Sequence, residues 1–282
     1  MTLKELYTEL QNTLEKAPNS QPDFEAFCLL ESVLDITRGD LYGSDRVVEA
    51  PALHRLRALA RRRLAGEPLQ YLLGEWEFYG LPMAVGPGVL IPRPETELLV
   101  DLGLAALEGA PSPALLDLCS GSGCIPIALG KARPDAALWG VEASPDALAY
   151  FRRNVALNRA GNVTPVEGDV LSLPRELTGR RYRVITANPP YLSEEELGAL
   201  QTEVAFEPAM ALDGGGDGLD FYRALPGICL PLLEPGGTLL LEIGETQGAA
   251  VSALLTQAGY GEVTVRRDYS GLDRVVTGRS RR

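Results

Sequence analysis

Two hydrophobic periods divide the chain, and the change falls near residue 73. In the first stretch Leu3, Leu6, Tyr7, Leu10 and Leu14 recur at the spacing of one helix face. A second helix is predicted to begin at Pro22-Asp23, with Phe24, Phe27, Cys28, Leu30 and Leu34 as its apolar positions. A third is predicted over 51–65, with Leu53, Leu56, Leu59, Ala60 and Leu64 turned inward. Its polar positions carry Arg55, Arg57, Arg61, Arg62 and Arg63, which read as a solvated face or as a contact surface for a macromolecular partner. Residues 1–73 are therefore expected to form a small helical domain. Residues 76–85 then predict a β-hairpin with its turn near Gly80, inside a linker spanning 74–91.

From residue 92 to 282 strands and helices alternate. A helix is predicted to start at about Pro94, where proline suits the first helical position. Strands are predicted over 115–119, 137–142, 163–167, 183–187, 238–243, 261–267 and 274–277, and helices over 123–131, 145–159, 219–233 and 246–258. Such alternation predicts an α/β fold, a seven-stranded mostly parallel sheet with helices on both faces. The last two strands are joined by too short a turn for a parallel crossover, so they should pair antiparallel.

Composition narrows the class. The 282 residues are 45% apolar and 23% charged, ordinary for a soluble globular protein. The net charge of −12 argues against a broad phosphate-tracking surface, so no direct nucleic-acid binding is expected. Cys28, Cys119, Cys124 and Cys229 form no C-x-x-C pair, which suggests a reducing, cytoplasmic setting without a disulfide framework. With His54 as the single histidine, neither a His-based metal site nor a His general base is expected. Lys4, Glu5, Glu9 and Glu15 argue against a signal peptide, and Pro231, Glu234 and Pro235 break the apolar run over 228–243, so no membrane span is expected. A monomer is expected.

The candidate chemistry lies where predicted strands end. Asn188-Pro189-Pro190-Tyr191 follows an apolar strand, and its prolines, having no N–H, must leave the sheet in a stiff turn. That turn offers the Asn188 side-chain oxygen and the Pro189 carbonyl to a planar group with two N–H donors, with the Tyr191 ring to cover its face. The ordinary reading is a rigid loop, but ligands bind at strand ends in α/β sheets. Asp117-Leu118-Cys119-Ser120-Gly121-Ser122-Gly123 runs from a strand through a glycine turn into a helix. Pro126 stands where a dinucleotide fingerprint needs its third glycine, and acidic Asp117 suits a cationic ligand. Glu142 closes the second strand where an acid can take ribose hydroxyls, or is an ordinary surface acid. Asp169 can accept an exocyclic amine with Val170 against the ring, or belong to a common Gly-Asp loop pair. Together these features imply a nucleoside with a positive centre, and S-adenosylmethionine fits.

The set 117–123, Glu142, Asp169 and Asn188–Tyr191 resembles the class I S-adenosylmethionine-dependent methyltransferases acting on planar nitrogens. With Glu67-Pro68-Leu69-Gln70-Tyr71, the 91–97 stretch, Glu207-Pro208, Asp217-Gly218-Leu219 and Gly271-Leu272-Asp273-Arg274, it is similar to the bacterial protein-(glutamine-N5) methyltransferases of peptide chain release factors. Cys119-Ser120 in the glycine turn and Pro126 in the helix after it depart from the family pattern. The resemblance implies a Rossmann-like methyltransferase domain, release with turnover of S-adenosylhomocysteine, and class I release factors as partners. It also implies that the substrate is the glutamine of their Gly-Gly-Gln loop, and that the N-terminal helices grip the factor. It places Asn188, Pro189 and Tyr191 at the chemistry, Asn188–Tyr191 on the substrate, and Asp117, Leu118, Cys119, Ser120, Gly121, Glu142, Asp169, Val170 and Asn188 on the cofactor. The rival readings are an adenine N6-methyltransferase on DNA or RNA, a nicotinamide-dependent dehydrogenase, and a nucleoside-binding module without turnover.

Overall fold

The computed structural model describes Met1–Gly43 and Arg46–Arg281. The chain divides into two compact units, Met1–Glu75 with Leu200–Glu207, and Trp76–Ala199 with Pro208–Arg282.

The first unit is built on helices Leu3–Leu14, Pro22–Leu34 and Ala50–Leu64, with shorter turns at Asp40–Gly43 and Leu69–Leu73. Thr2 and Glu5 form a capping box on the first helix, and Pro22 and Pro51 sit in the first turns of the next two. The arginine face of Ala50–Leu64 differs from expectation at one position. Arg63 is 2% exposed, bonded through Nε and Nη2 to the Glu25 carboxylate and through Nη2 to Glu203 and the Pro18 carbonyl. The reason is periodic: Leu56, Leu59, Ala60 and Arg63 share one helix face, and that face is the buried one. Arg57 and Arg62 do lie on the surface, paired with Glu9 and Glu67. Glu203 comes from Leu200–Glu207, a segment of the first unit that lies far along the chain.

The second unit opens with a hairpin of β1 (Glu75–Phe78) and β2 (Leu81–Ala84). Its two-residue turn, Tyr79-Gly80, has φ of 54° and 72°, the pair of positive values that matches the twist of a tight hairpin. Seven further strands follow: β3 (Ala114–Leu118), β4 (Ala137–Glu142), β5 (Val163–Glu167), β6 (Tyr182–Ala187), β7 (Leu233–Glu242), β8 (Gly261–Arg267) and β9 (Asp273–Arg279). They form one sheet in the order β5-β4-β3-β6-β7-β9-β8, parallel except for β9, which is antiparallel to both neighbours. β3 and β6 are buried along almost their whole length, because helices cover both faces of the sheet.

One boundary is displaced. The helix expected over 219–233 spans Asp220–Cys229, continues as a 3₁₀ turn Leu230–Leu232, and gives way to β7 at Leu233. Pro231 lies in that turn and cannot supply the N–H that would extend an α-helix. Pro126, by contrast, is the third residue of helix Cys124–Ala132, where helical N–H groups lack intrahelical acceptors anyway.

Candidate active site

The parallel strands all end on one edge, and the candidate segments leave it side by side. Leu118 of β3 pairs with Ala187 of β6, so Cys119 and Asn188 emerge from neighbouring strands at one level. On the other side of β3, Leu118 pairs with Val141 and Glu142 with Glu167, which aligns the ends of β4 and β5 with them. The chain winds from β3 outward to β5 and then returns to β6 on the far side of β3. The crevice between β3 and β6 is thus the point where strand order reverses, the usual ligand site of open α/β sheets.

The turn after β3 is tight. Cys119, Gly121 and Gly123 all have positive φ, at 57°, 54° and 79°. A Cβ on Gly123 would lie 2.0 Å from Cδ2 of the buried Phe151, so glycine is needed there for space as well as conformation. Asp117 anchors the turn from behind. Ser120 Oγ donates to its Oδ2 at 2.6 Å, and Thr186 Oγ1 of β6 donates to its Oδ1 at 2.5 Å. Full burial pushes the Asp117 carboxyl up to about 7, against the lowering effect of those two hydroxyls. Glu142 holds the turn from the side: its Oε2 accepts the Gly121 N–H at 2.7 Å, and its Oε1 accepts the Ser144 N–H at 2.8 Å.

A cavity of about 380 Å³ opens over these strand ends, within the size range of small-molecule sites. Cys119, Gly121, Glu142, Asp169, Val170, Asn188 and Pro190 line it, so the structure brings together the turn, both acids and the start of the proline loop. Asp117 and Leu118 are fully buried beneath the turn and do not reach the lining. Ser120 faces a smaller recess of about 30 Å³ that also includes Thr96, Cys124 and Asn188. Pro189 is buried. Tyr191 is not among the residues lining the 380 Å³ cavity, and its carbonyl accepts from the Gln247 side-chain amide at 3.0 Å. It lines a second cavity of about 480 Å³ with Ser193, Gln247 and Arg274. The proline tetrapeptide therefore separates two cavities.

Sequence reasoning missed Gly88, Leu90, Met210 and Phe221, which are among the other residues of the lining. Gly88 and Leu90 fall within the stretch expected to be a linker over 74–91, and their placement on the cavity depends on tertiary packing. Among the described residues no helix is long and apolar enough to cross a membrane.

Two family models match this chain: the PrmC N-terminal domain over residues 5–74 and the methyltransferase small domain over residues 96–217. A curated relative from Geobacter sulfurreducens, a release factor glutamine methyltransferase, is 44% identical over 254 residues, 89% of this chain and 87% of its own. Another of that name from Thermodesulfovibrio yellowstonii is 40% identical over 255 residues, 89% of this chain and 90% of its own. The chain belongs to the release factor glutamine methyltransferase family. A solved structure with the same fold is a T. thermophilus 16S rRNA methyltransferase with AdoMet and guanosine, at 21% identity and a TM-score of 0.53. The match spans 73% of this chain and 50% of that one.

As a release factor glutamine methyltransferase family member, the chain is an S-adenosylmethionine-dependent enzyme. The cavity chemistry fits that cofactor. Each Glu142 oxygen accepts one backbone N–H and keeps a lone pair for a hydroxyl donor. Asp169 is exposed on the cavity, with Oδ1 accepting the Leu171 N–H, and Val170 beside it is apolar and 5% exposed.

Proposed function

We propose that the chain transfers a methyl group to the side-chain amide nitrogen, N5, of the glutamine in the Gly-Gly-Gln loop of class I peptide chain release factors. One observation carries the reading: Asn188 leaves β6 level with the glycine turn of β3 and lines the same cavity. In this assignment Glu142 takes the ribose hydroxyls, Asp169 the adenine amine and Val170 the ring face. Cys119, Ser120 and Gly121 face the methionine portion through the turn, with Leu118 and the Asp117 carboxyl behind them. Asn188 and Pro189 receive the glutamine amide, Pro190 closes the cavity wall, and Tyr191 borders the approach from the second cavity. The helical first unit is assigned to holding the release factor.

When bound, S-adenosylmethionine supplies the electrophilic methyl carbon and leaves as the neutral thioether S-adenosylhomocysteine. The protein's own task is to make an amide nitrogen attack. That nitrogen is a weak nucleophile because its lone pair is delocalised into the carbonyl. Acceptors at Asn188 Oδ1 and the Pro189 carbonyl bind its two N–H groups and stabilise the positive charge that grows as the N–CH₃ bond forms. The extra proton is then acidic enough to pass to water. Glutamate is rejected by the same acceptors, since a carboxylate has no N–H and would leave them unpaired at about 1–3 kcal/mol per group.

The test is mass spectrometry of an unmethylated class I release factor incubated with the chain and S-adenosylmethionine. One added methyl on the loop glutamine is expected, and a methyl elsewhere or none refutes the reading. Asn188→Ala should lower kcat by about 100-fold or more, the loss seen when one transition-state hydrogen-bond partner is removed.

A further inference from the structure

A buried acid at the end of a sheet strand has no role in the reaction so far. Glu242 ends β7, is 2% exposed, and its Oε2 has no hydrogen-bond partner among the described residues. Ala187 pairs with Leu241, so Asn188 and Glu242 stand side by side at the end of neighbouring strands. Thr96, 2% exposed at the end of the 3₁₀ turn Pro94–Thr96, links them. Asn188 Nδ2 donates to Thr96 Oγ1 at 3.4 Å. The Thr96 hydroxyl and the Asn188 amide both bear on the Glu242 carboxyl and favour its ionised form.

We propose that Glu242 and Thr96 are positioning residues that fix which end of the Asn188 carboxamide faces the substrate amide, an inference that rests on the role of Asn188 given above. A hydroxyl has one proton to donate and lone pairs to accept with. An ionised Glu242 can only accept, so it claims the Thr96 proton. Thr96 Oγ1 is then left as an acceptor and holds the Nδ2 end of Asn188. Oδ1 is therefore turned outward, where an acceptor is needed for the glutamine N–H groups. A protonated Glu242 removes this constraint. Its own proton can go to Thr96, the Thr96 proton can then point at Asn188 Oδ1, and the carboxamide presents N–H groups to a substrate that also carries N–H groups.

The relay has a built-in pH sense. Burial pushes Glu242 up to about 7, opposed by Thr96, Arg274 and Asn188 and reinforced by Glu95. The other titratable groups facing it are Tyr191 from the proline loop, Tyr222 from helix Asp220–Cys229 and Cys124 from helix Cys124–Ala132. Turnover should therefore fall as pH drops through about 7.

The experiment measures kcat against pH for methyl transfer to an unmethylated release factor, with S-adenosylmethionine affinity by calorimetry. Wild type is expected to show a limb near pH 7. Glu242→Gln, an isosteric neutral side chain, should lose that limb and lower kcat by about 100-fold, the loss a misplaced catalytic group incurs. Its cofactor Kd should stay within about twofold and its melting temperature at pH 8 should not fall. Thr96→Ser should restore near wild-type turnover, whereas Thr96→Val should behave like Glu242→Gln. A Glu242→Gln enzyme that keeps wild-type kcat, or a pH limb that survives in it and so belongs to another buried acid such as Asp117, overturns the proposal. A parallel loss of cofactor affinity overturns it too, by assigning Glu242 to the cofactor. If wild type itself transfers no methyl to the release factor, the reading under Proposed function fails first and takes this one with it.

Discussion

Replacing Asp117 by asparagine should stabilise the protein at alkaline pH and destabilise it by about 1–3 kcal/mol at acid pH, where the carboxyl it replaces is protonated in both states. Asp117 is fully buried, and its carboxyl is raised from 3.8 to about 7 chiefly by desolvation. The native state therefore binds its proton more tightly than the unfolded chain does. Below about pH 4 both states are protonated and the group has no effect on stability. As pH rises from about 4 towards the native value near 7 the unfolded chain ionises while the buried carboxyl keeps its proton, so stability is lost progressively across that window and the loss is complete above it. A shift of roughly three pH units at about 1.4 kcal/mol each sets an upper bound of about 4 kcal/mol on that loss above pH 8. Asparagine cannot ionise, and Ser120 and Thr186 can rotate to suit its oxygen and its NH₂ group. One additional N–H left unpaired costs about 1–3 kcal/mol, so a net gain of about 1–3 kcal/mol remains at high pH. For a protein of this size that is roughly 3–10 °C in Tm. The assay is thermal unfolding by circular dichroism from pH 5 to pH 9. A Tm difference that rises from pH 5 to about pH 7 and then levels off is expected. A difference of constant size across the range would show that Asp117 is not the buried titrating acid the structure makes it.

Glu142→Gln should weaken S-adenosylmethionine binding by about 10–100-fold in calorimetry, because an amide cannot accept from both the Gly121 and Ser144 N–H groups, and one buried donor is left facing an NH₂; unchanged affinity would remove Glu142 from the cofactor site. Gly123→Ala should destabilise by about 2–3 kcal/mol or more in urea titration, since its Cβ would collide with Phe151 at a positive φ that alanine disfavours. Arg63→Ala should destabilise the first unit by about 3–5 kcal/mol, leaving Glu25 and Glu203 without their shared cation, and a loss below about 1 kcal/mol would show that the cluster relaxes into water.

Much of the second unit was legible because its central strands are buried on both faces. Such strands write continuous apolar runs, and the Gly-rich and proline-rich turns that end them are equally plain in sequence. The start of β7 was not legible, since Leu230–Leu233 is apolar whether it closes a helix, forms a 3₁₀ turn or opens a strand. Arg63 shows the reverse case. Its position on the Leu56–Leu59–Ala60 face was available from spacing alone, but charge outweighed period in the expectation. The recruitment of Leu200–Glu207 into the first unit could not be read at all, because the Glu203 contact that helps hold it there joins residues 140 positions apart.

The candidate site divides along the same line. Motifs in the sequence marked several residues that line the cavity: Gly121 of the turn, Glu142 at a strand end, Asn188 before its prolines. Residues whose place depends on neighbouring elements carried no such mark. Tyr191 was expected over the ligand because it follows the prolines, yet Gln247 donates to its backbone carbonyl and the residue lines the other cavity. Glu242 lies in an unremarkable strand end, and nothing local marks it. Its proximity to Asn188 exists only because β7 lies beside β6 in register, Ala187 opposite Leu241, while the 3₁₀ turn at Thr96 closes over both. Strand order sets the chemistry here. Placing β6 between β3 and β7 gives Asn188 the glycine turn on one side and a buried carboxylate on the other, so one carboxamide can be oriented by the second while it serves a ligand held by the first.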